Sequence, residues 1–173
     1  FALQSDGWYL RQDIIWSKPN PMPESVTDRC TKSHEYVFLF AKSKKYYFDH
    51  EAIREPSNLR ENEYQQALRK KNAENYRLKK PYKGNFPKSF YENGRNKRSV
   101  WTIATRPYRD AHFATFPEKL IEPMILAGCP EGSIVLDPFM GSGTTAVVAK
   151  KHSRQYLGIE LNPVKVPIIQ KEI

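Results

Sequence analysis

The chain has 173 residues, 39% of them hydrophobic and 27% charged, with a formal net charge of +9. That length is enough for one domain with a buried core or for most of a larger one, and no stretch approaches the roughly 18 apolar residues of a membrane span. No charged–apolar–small leader opens the chain, and Cys30 and Cys129 lie far apart without Cys-x-x-Cys spacing. Composition therefore points away from a membrane protein, a disulfide framework or a metal site, and toward a soluble protein of a reducing cytoplasm. The charge is localised: residues 69–98 hold 11 basic and 2 acidic residues, and the rest of the chain sums to zero. A basic stripe is the electrostatic footprint of a polyanion partner, with a solvated charged face as the bland alternative.

In chain order, FALQSDGWYL reads as a helix already under way, ended near Gly7, so the polypeptide is expected to have lost its beginning. DIIW (13–16) and EYVFLFA (35–41) are apolar, aromatic and β-branched, hence strands, and YYFD (46–49) after a Lys-Ser-Lys-Lys turn makes 35–49 a hairpin. Three prolines in residues 19–23 force irregular backbone between the first two strands. Residues 58–80 are polar with a thin apolar stripe, and 81–98 mix turn residues, charge and aromatics without a core pattern. Order returns at SVWTI. Thr115-x-x-Glu118 has capping-box spacing with Pro117 in the first turn, Leu120, Ile121, Met124 and Ile125 give an apolar helical face, and Gly128 closes it. SIVLDPF reads as a buried strand, TTAVVAKKH as a closely packed helix, YLGIEL as a strand, and Asn162-Pro163 as the start of a last helix that Pro167 shortens or kinks. The helix–β–α–β–α order of 114–173 argues for an α/β fold with a doubly wound, mostly parallel sheet whose ligands lie at strand C-termini.

Gly141-Ser142-Gly143-Thr144-Thr145-Ala146 fits G-x-G-x-x-A, and Glu160 follows Gly141 by 19 residues at the end of the next strand. That placement suits a carboxylate gripping ribose hydroxyls, and the absence of Gly-Lys-[ST] separates the turn from a P-loop. Asp137 discriminates between ligand classes. A dinucleotide would lay its pyrophosphate against this turn, beside a like charge, whereas S-adenosylmethionine brings a sulfonium and an ammonium.

DPFMGSGTT followed by GIELNP resembles the cofactor half of the amino-group DNA methyltransferases, which methylate adenine N6 or cytosine N4. HFATFPEKLIEPMI resembles the segment that precedes the cofactor turn in permuted members, and GWYLRQDIIWSKPNPMPES and TKSHEYVFLFAKSKKYYFD resemble their later sheet strands. The resemblance covers about 1–56 and 99–173. It implies the S-adenosylmethionine-dependent methyltransferase fold, incomplete at the N-terminus, with residues 1–56 as the distal sheet half, 57–98 as a basic target-recognition insertion and 99–173 as the cofactor-binding half. By the resemblance, Asp137, Phe139, Gly141, Ser142, Gly143 and Thr144 cradle S-adenosylmethionine. Glu160 holds the ribose with Asn162 nearby, and Phe113, Ala114, Thr115 and Phe116 shape the methionine side. His112 and Lys119 are left with local or surface roles.

The family's catalytic [D/S/N]-P-P-[Y/F/W] turn has no counterpart here; Asn20-Pro21-Met22-Pro23 is the nearest string and has the wrong spacing. In permuted order that turn and its central strand belong before Phe1, so the catalytic residues are expected outside this sequence. Neither cysteine is assigned to the chemistry. For DNA, the basic segment offers Lys70, Lys71, Lys79, Lys80, Lys83, Arg95, Lys97 and Arg98 to phosphates, interleaved with Tyr76, Tyr82, Phe86, Phe90 and Tyr91. Two readings stand for the proline loop with Lys32, Ser33 and His34: a border of the target-base pocket, or a purely structural role for the loop. The expected function is a site-specific DNA methyltransferase acting on double-stranded DNA, cytoplasmic in a bacterium or archaeon or encoded by a phage. A homodimer and a cognate restriction endonuclease are the further partners the resemblance brings in. The alternatives are an inactive cofactor- and DNA-binding remnant and, ranked lower because of Asp137, an NAD-type enzyme.

Overall fold

The computed structural model describes residues 1–56, 94–105 and 116–162, which fall into two compact units, Phe1–Ala52 with Arg98–Ile173, and Ile53–Lys97. The first unit opens with a single helical turn, α1 (Ala2–Ser5). Its end is set by Gly7 at φ 82°, whose N–H donates to the Gln4 carbonyl while the Trp8 N–H reaches Leu3. Glycine enters that left-handed region without the steric cost of a Cβ.

Strand β1 (Tyr9–Ser17) starts well before the apolar Asp13–Trp16 run. It pairs antiparallel with β2 (His34–Ala41), from Tyr9 opposite Ala41 to Ser17 opposite His34, with a register shift between Leu10 and Gln12. On its other edge β1 runs parallel to the short β3 (Val100–Thr102), Trp16 lying opposite Trp101. The alternation of side chains sends Ile14, Trp16 and Trp101 to one face, where Leu120 joins them as a buried cluster. The Trp16 indole N–H donates to the Ile103 carbonyl at 2.8 Å, so the largest core ring also satisfies a backbone acceptor.

The hairpin expected over 35–49 does not form. The antiparallel partner of residues 34–41 is β1, across the proline loop, and residues 46–49 lie outside any strand. Local bonds compete for that segment. The Asp49 N–H donates to the Ala127 carbonyl, and its carboxylate accepts from the Glu51 and Ala52 amides, both at 3.0 Å. The proline loop itself is pinned by Asn20, whose amide nitrogen donates to the Thr105 carbonyl at 3.1 Å and whose amide oxygen accepts from the Thr105 N–H at 3.0 Å.

Helix α2 (Glu118–Gly128) carries the expected apolar face: Leu120 and Ile125 are buried, and Ile121 and Met124 half-buried. Its ends differ from the expectation. Pro117 is the N-cap in extended conformation, without a side-chain cap bond, and Cys129, also extended, is the C-cap after Gly128. Thr115, the other half of the expected capping box, lies outside the described residues. Strand β4 (Ile134–Asp137) then leads through the glycine turn into α3 (Thr144–Lys151) and back along β5 (Gln155–Gly158), which runs parallel to β4 with Asp137 opposite Gly158.

Ile125 of α2 and Val148 and Ala149 of α3 form a second buried cluster, with Ile121, Cys129 and Val135 against it. Helix α2 thus takes part in both clusters, Leu120 in one and Ile125 in the other, one helical turn apart. Strand β4 is not buried on both sides as its composition suggested: Ile134 and Leu136 are 62% and 59% exposed, while Val135 packs toward the helices. The last predicted helix, after Asn162, lies outside the described residues. In the smaller unit, Glu55 and Arg95 exchange backbone hydrogen bonds at 2.8 Å as an antiparallel bridge. Gly94 sits beside it at φ +74°, where a Cβ would fall 2.3 Å from the Glu55 carbonyl oxygen.

Trp16→Phe removes the bond to Ile103 and leaves that carbonyl without its indole donor. It is expected to cost about 1–3 kcal/mol of unfolding free energy. Denaturant titration measures it, and an unchanged midpoint would show that the Trp16 bond contributes nothing to this core.

Candidate functional site

The turn between β4 and α3 follows from four backbone constraints. Gly141 and Gly143 stand at φ 58° and 85°, both in the left-handed region, and Gly143 is the N-cap of α3. The Gly143 N–H donates to the Met140 carbonyl at 3.0 Å, and the Met140 N–H donates to the Ile159 carbonyl at 2.9 Å. The latter bond ties the turn to the chain leaving β5, whose Ile159 N–H in turn donates to the Asp137 carbonyl at 2.9 Å. The Met140 side chain is buried and lies over Gly158. A Cβ on Gly158 would come within 2.0 Å of its Cε, 3.1 Å of its Cγ and 3.3 Å of its Cβ.

Two carboxylates close the arrangement. Asp137, the last residue of β4, accepts the Phe139 N–H on Oδ1 at 2.9 Å and the Thr145 hydroxyl on Oδ2 at 2.6 Å. Glu160 accepts the Gly141 N–H on Oε2 at 2.8 Å and the Asn162 N–H on Oε1 at 2.8 Å. Backbone amides turned toward carboxylates in this way are charge-assisted donors, stronger than neutral pairs. The Ser142 and Thr144 hydroxyls are 3.2 Å apart at the mouth of α3, and the Phe139 ring stands 87% exposed beside the turn.

Asp137, Phe139, Gly141, Ser142, Gly143, Thr144, Glu160 and Asn162, singled out from sequence, are therefore gathered on one turn and the strand end beside it. Phe116 lies elsewhere, half-buried against the Ile14–Trp16–Trp101–Leu120 cluster. Phe113, Ala114 and Thr115 lie outside the described residues, as do Lys70, Lys71, Lys79, Lys80 and Lys83. Arg95 and Lys97 in the smaller unit both face Glu55, at 3.4 and 3.9 Å. Arg98 is exposed, and its carbonyl accepts from the Trp101 indole at 2.7 Å. Sequence reasoning passed over Thr145, Met140 and Gly158. Thr145 had a signal in the doubled threonine after the second glycine, whereas the Met140–Gly158 contact joins residues that no local pattern links.

Residues 1–171 fit the N6/N4 methyltransferase family, described as DNA methylase. The chain belongs to that family. It is 49% identical over 168 residues to the type II methyltransferase M.Cfr9I of Citrobacter freundii, covering 97% of the chain and 45% of that relative. Among solved structures it is similar to the complex of M1.HpyAVI with SAM, at TM-score 0.62 and 25% identity, covering 98% of the chain and 65% of that structure. It also shares its fold with the cytosine-N4-specific PvuII DNA methyltransferase, at TM-score 0.68 and 19% identity, covering 99% of the chain and 53% of that structure. The fold is thus that of the methyltransferases, and the chain spans just under half the length of its curated relative.

Gly158→Ala forces the buried Met140 side chain aside, its terminal methyl most and its Cγ and Cβ by a few tenths of an ångström. It is expected to destabilise the protein by about 1–3 kcal/mol, the usual cost of overpacking. Met140→Ala added to Gly158→Ala should recover part of that loss; additive losses in the thermal unfolding of the pair would mean the two residues do not meet.

Proposed function

We propose that this chain carries the methyl-donor site of a site-specific DNA methyltransferase, which moves a methyl group from S-adenosylmethionine to an exocyclic amino nitrogen, adenine N6 or cytosine N4. The observation that carries the reading is the pair of carboxylates on one glycine turn, Asp137 before it and Glu160 beside it. Glu160 suits the ribose of either ligand class, while the negative Asp137 beside the turn disfavours a pyrophosphate and favours a ligand that is cationic at one end. The residues fit such a group. The Gly141 Cα faces open space, with only the Phe139 carbonyl oxygen within 4 Å of a Cβ built there, and the exposed Phe139 ring offers an apolar surface at the same lip.

Bound there, the donor supplies an electrophilic methyl carbon on a positively charged sulfur. The chain's residues bind and orient. Glu160, aimed by the Gly141 and Asn162 amides, would accept from the donor's ribose hydroxyls. Asp137 sets a negative field for the cationic end, and Gly141–Gly143 allow close approach of backbone. The methyl carbon would be open to direct attack by the target amino nitrogen, so these residues would need only to hold and orient the donor, with no protein nucleophile among them. Family membership agrees with this chemistry.

The basic stretch 57–98, between residues 1–56 and the cofactor-binding 99–173, is read as the target-recognition insertion for double-stranded DNA. Its Lys and Arg side chains neutralise phosphates. A cognate restriction endonuclease, a homodimer and a cytoplasmic location belong to the same reading; among the described residues no helix is long and apolar enough to cross a membrane.

Calorimetric titration of the full-length protein should give binding of S-adenosylmethionine and none of NAD; binding of NAD alone would replace this reading with a dinucleotide one. Glu160→Ala removes the ribose acceptor and the Gly141 tie together, so donor affinity should fall roughly tenfold or more. Charge reversal at Lys70, Lys71, Lys79 and Lys80 should weaken DNA binding and flatten its dependence on salt. An unchanged salt slope would remove those lysines from the DNA interface.

A further inference from the structure

Thr145 sits in the first turn of α3, 7% exposed, with its hydroxyl 2.6 Å from Asp137 Oδ2. A buried threonine near a helix start commonly turns its hydroxyl onto the preceding turn's backbone. This one instead gives its single proton to a side chain eight positions earlier, at the end of β4. The distance lies in the 2.5–2.7 Å range typical of a hydroxyl on an ionised carboxylate. Asp137 Oδ1 is meanwhile held by the Phe139 N–H at 2.9 Å. An aspartate has two side-chain torsions, and a directional bond on each oxygen fixes both. The carboxylate is thereby clamped between the loop on one side and the helix on the other. It presents its charge in one direction without waiting for a ligand to order it.

We infer that Thr145 is a positioning residue for donor recognition: through its hydroxyl it fixes the Asp137 carboxylate so that the negative charge meets the cationic end of the methyl donor. The inference rests on the donor-site reading above and assigns Thr145 no contact with the donor itself. It separates two functions of the turn. Gly141, Gly143 and Glu160 serve the adenosine portion, while the Thr145–Asp137 pair serves the charge. A ligand that keeps the adenosine but is neutral at sulfur and lacks the amino acid should therefore be indifferent to Thr145.

The test uses the full-length protein, with S-adenosylmethionine and the neutral 5′-methylthioadenosine as probes, and compares Thr145→Val, which keeps the shape, with Thr145→Ser, which keeps the hydroxyl. Thr145→Val should weaken S-adenosylmethionine binding about 5- to 10-fold, less than a whole charge-assisted hydrogen bond because Phe139 still holds the other carboxylate oxygen, with methylthioadenosine changed less than about twofold. Thr145→Ser should restore wild-type affinity for both. In an Asp137→Ala background, Thr145→Val should have no further effect on S-adenosylmethionine. Equal losses for both ligands would make Thr145 a support of the turn alone and overturn the inference, as would unchanged S-adenosylmethionine affinity or additivity with Asp137→Ala. Should Thr145→Val fail to fold, Thr145→Ala removes the same hydroxyl without adding a methyl group, and the same comparison decides. A wild-type protein that binds neither ligand would instead sink the donor-site reading.

Discussion

The glycine turn keeps its shape because carboxylates accept its backbone amides from both sides. A turn that enters the left-handed region at Gly141 and again at Gly143 takes its N–H groups out of any regular ladder, and amides left without acceptors are costly away from water. Asp137 takes the Phe139 amide and Glu160 takes the Gly141 amide, each from the end of a neighbouring parallel strand. The strand pairing thus specifies the turn: β4 delivers one carboxylate, β5 the other, and the Met140–Ile159 and Ile159–Asp137 backbone bonds fix their separation. The groups that hold the turn are the same ones proposed to meet the donor, so under that proposal stability of the turn and preference for its ligand would share one set of atoms.

Helix α2 connects that site to the rest of the larger unit. With Leu120 in the cluster beneath β1 and β3, and Ile125 in the cluster with α3, it is the element common to both hydrophobic cores. Lys151 to Glu118 at 2.5 Å and His152 to Glu122 at 3.0 Å lie along the α2–α3 contact. The Lys151–Glu118 pair is about half exposed and contributes at most about 1 kcal/mol, and the His152–Glu122 contact is a partly buried hydrogen bond of about the same size, so burial of Val148 and Ala149 dominates the docking of α3. Among the described residues the strands form two separate sheets, β2–β1–β3 and β4–β5, and Tyr36, Phe38, Ile134, Leu136 and Leu157 on them are exposed.

Much of the site was legible in the sequence because its signals are local and chemically specific. A Gly-x-Gly turn needs positive φ, and a carboxylate one strand later has a single place to go in a parallel pair. The helices around it declared themselves by apolar spacing. What escaped were features decided at longer range. Residues 46–49 have strand composition, yet the Asp49 side chain captures nearby amides and its backbone bonds to Ala127, so no hairpin forms. The apolar run of β4 looked buried on both faces because composition cannot say which neighbours are present. The charge of Asp137 pointed to a cationic ligand, and the family resemblance placed the residue in the donor's cradle. Its bonds to Phe139 and Thr145 show that it first organises the turn, which gives it a fixed orientation that sequence could not supply.

The most direct test of the account is the structure of the full-length protein crystallised with S-adenosylmethionine. The account requires the donor's ribose hydroxyls within hydrogen-bonding distance of Glu160, its adenosine against the Gly141–Gly143 backbone, and its cationic end on the Asp137 side of the turn. A donor seated away from this turn, or with its charged end directed away from Asp137, would contradict it.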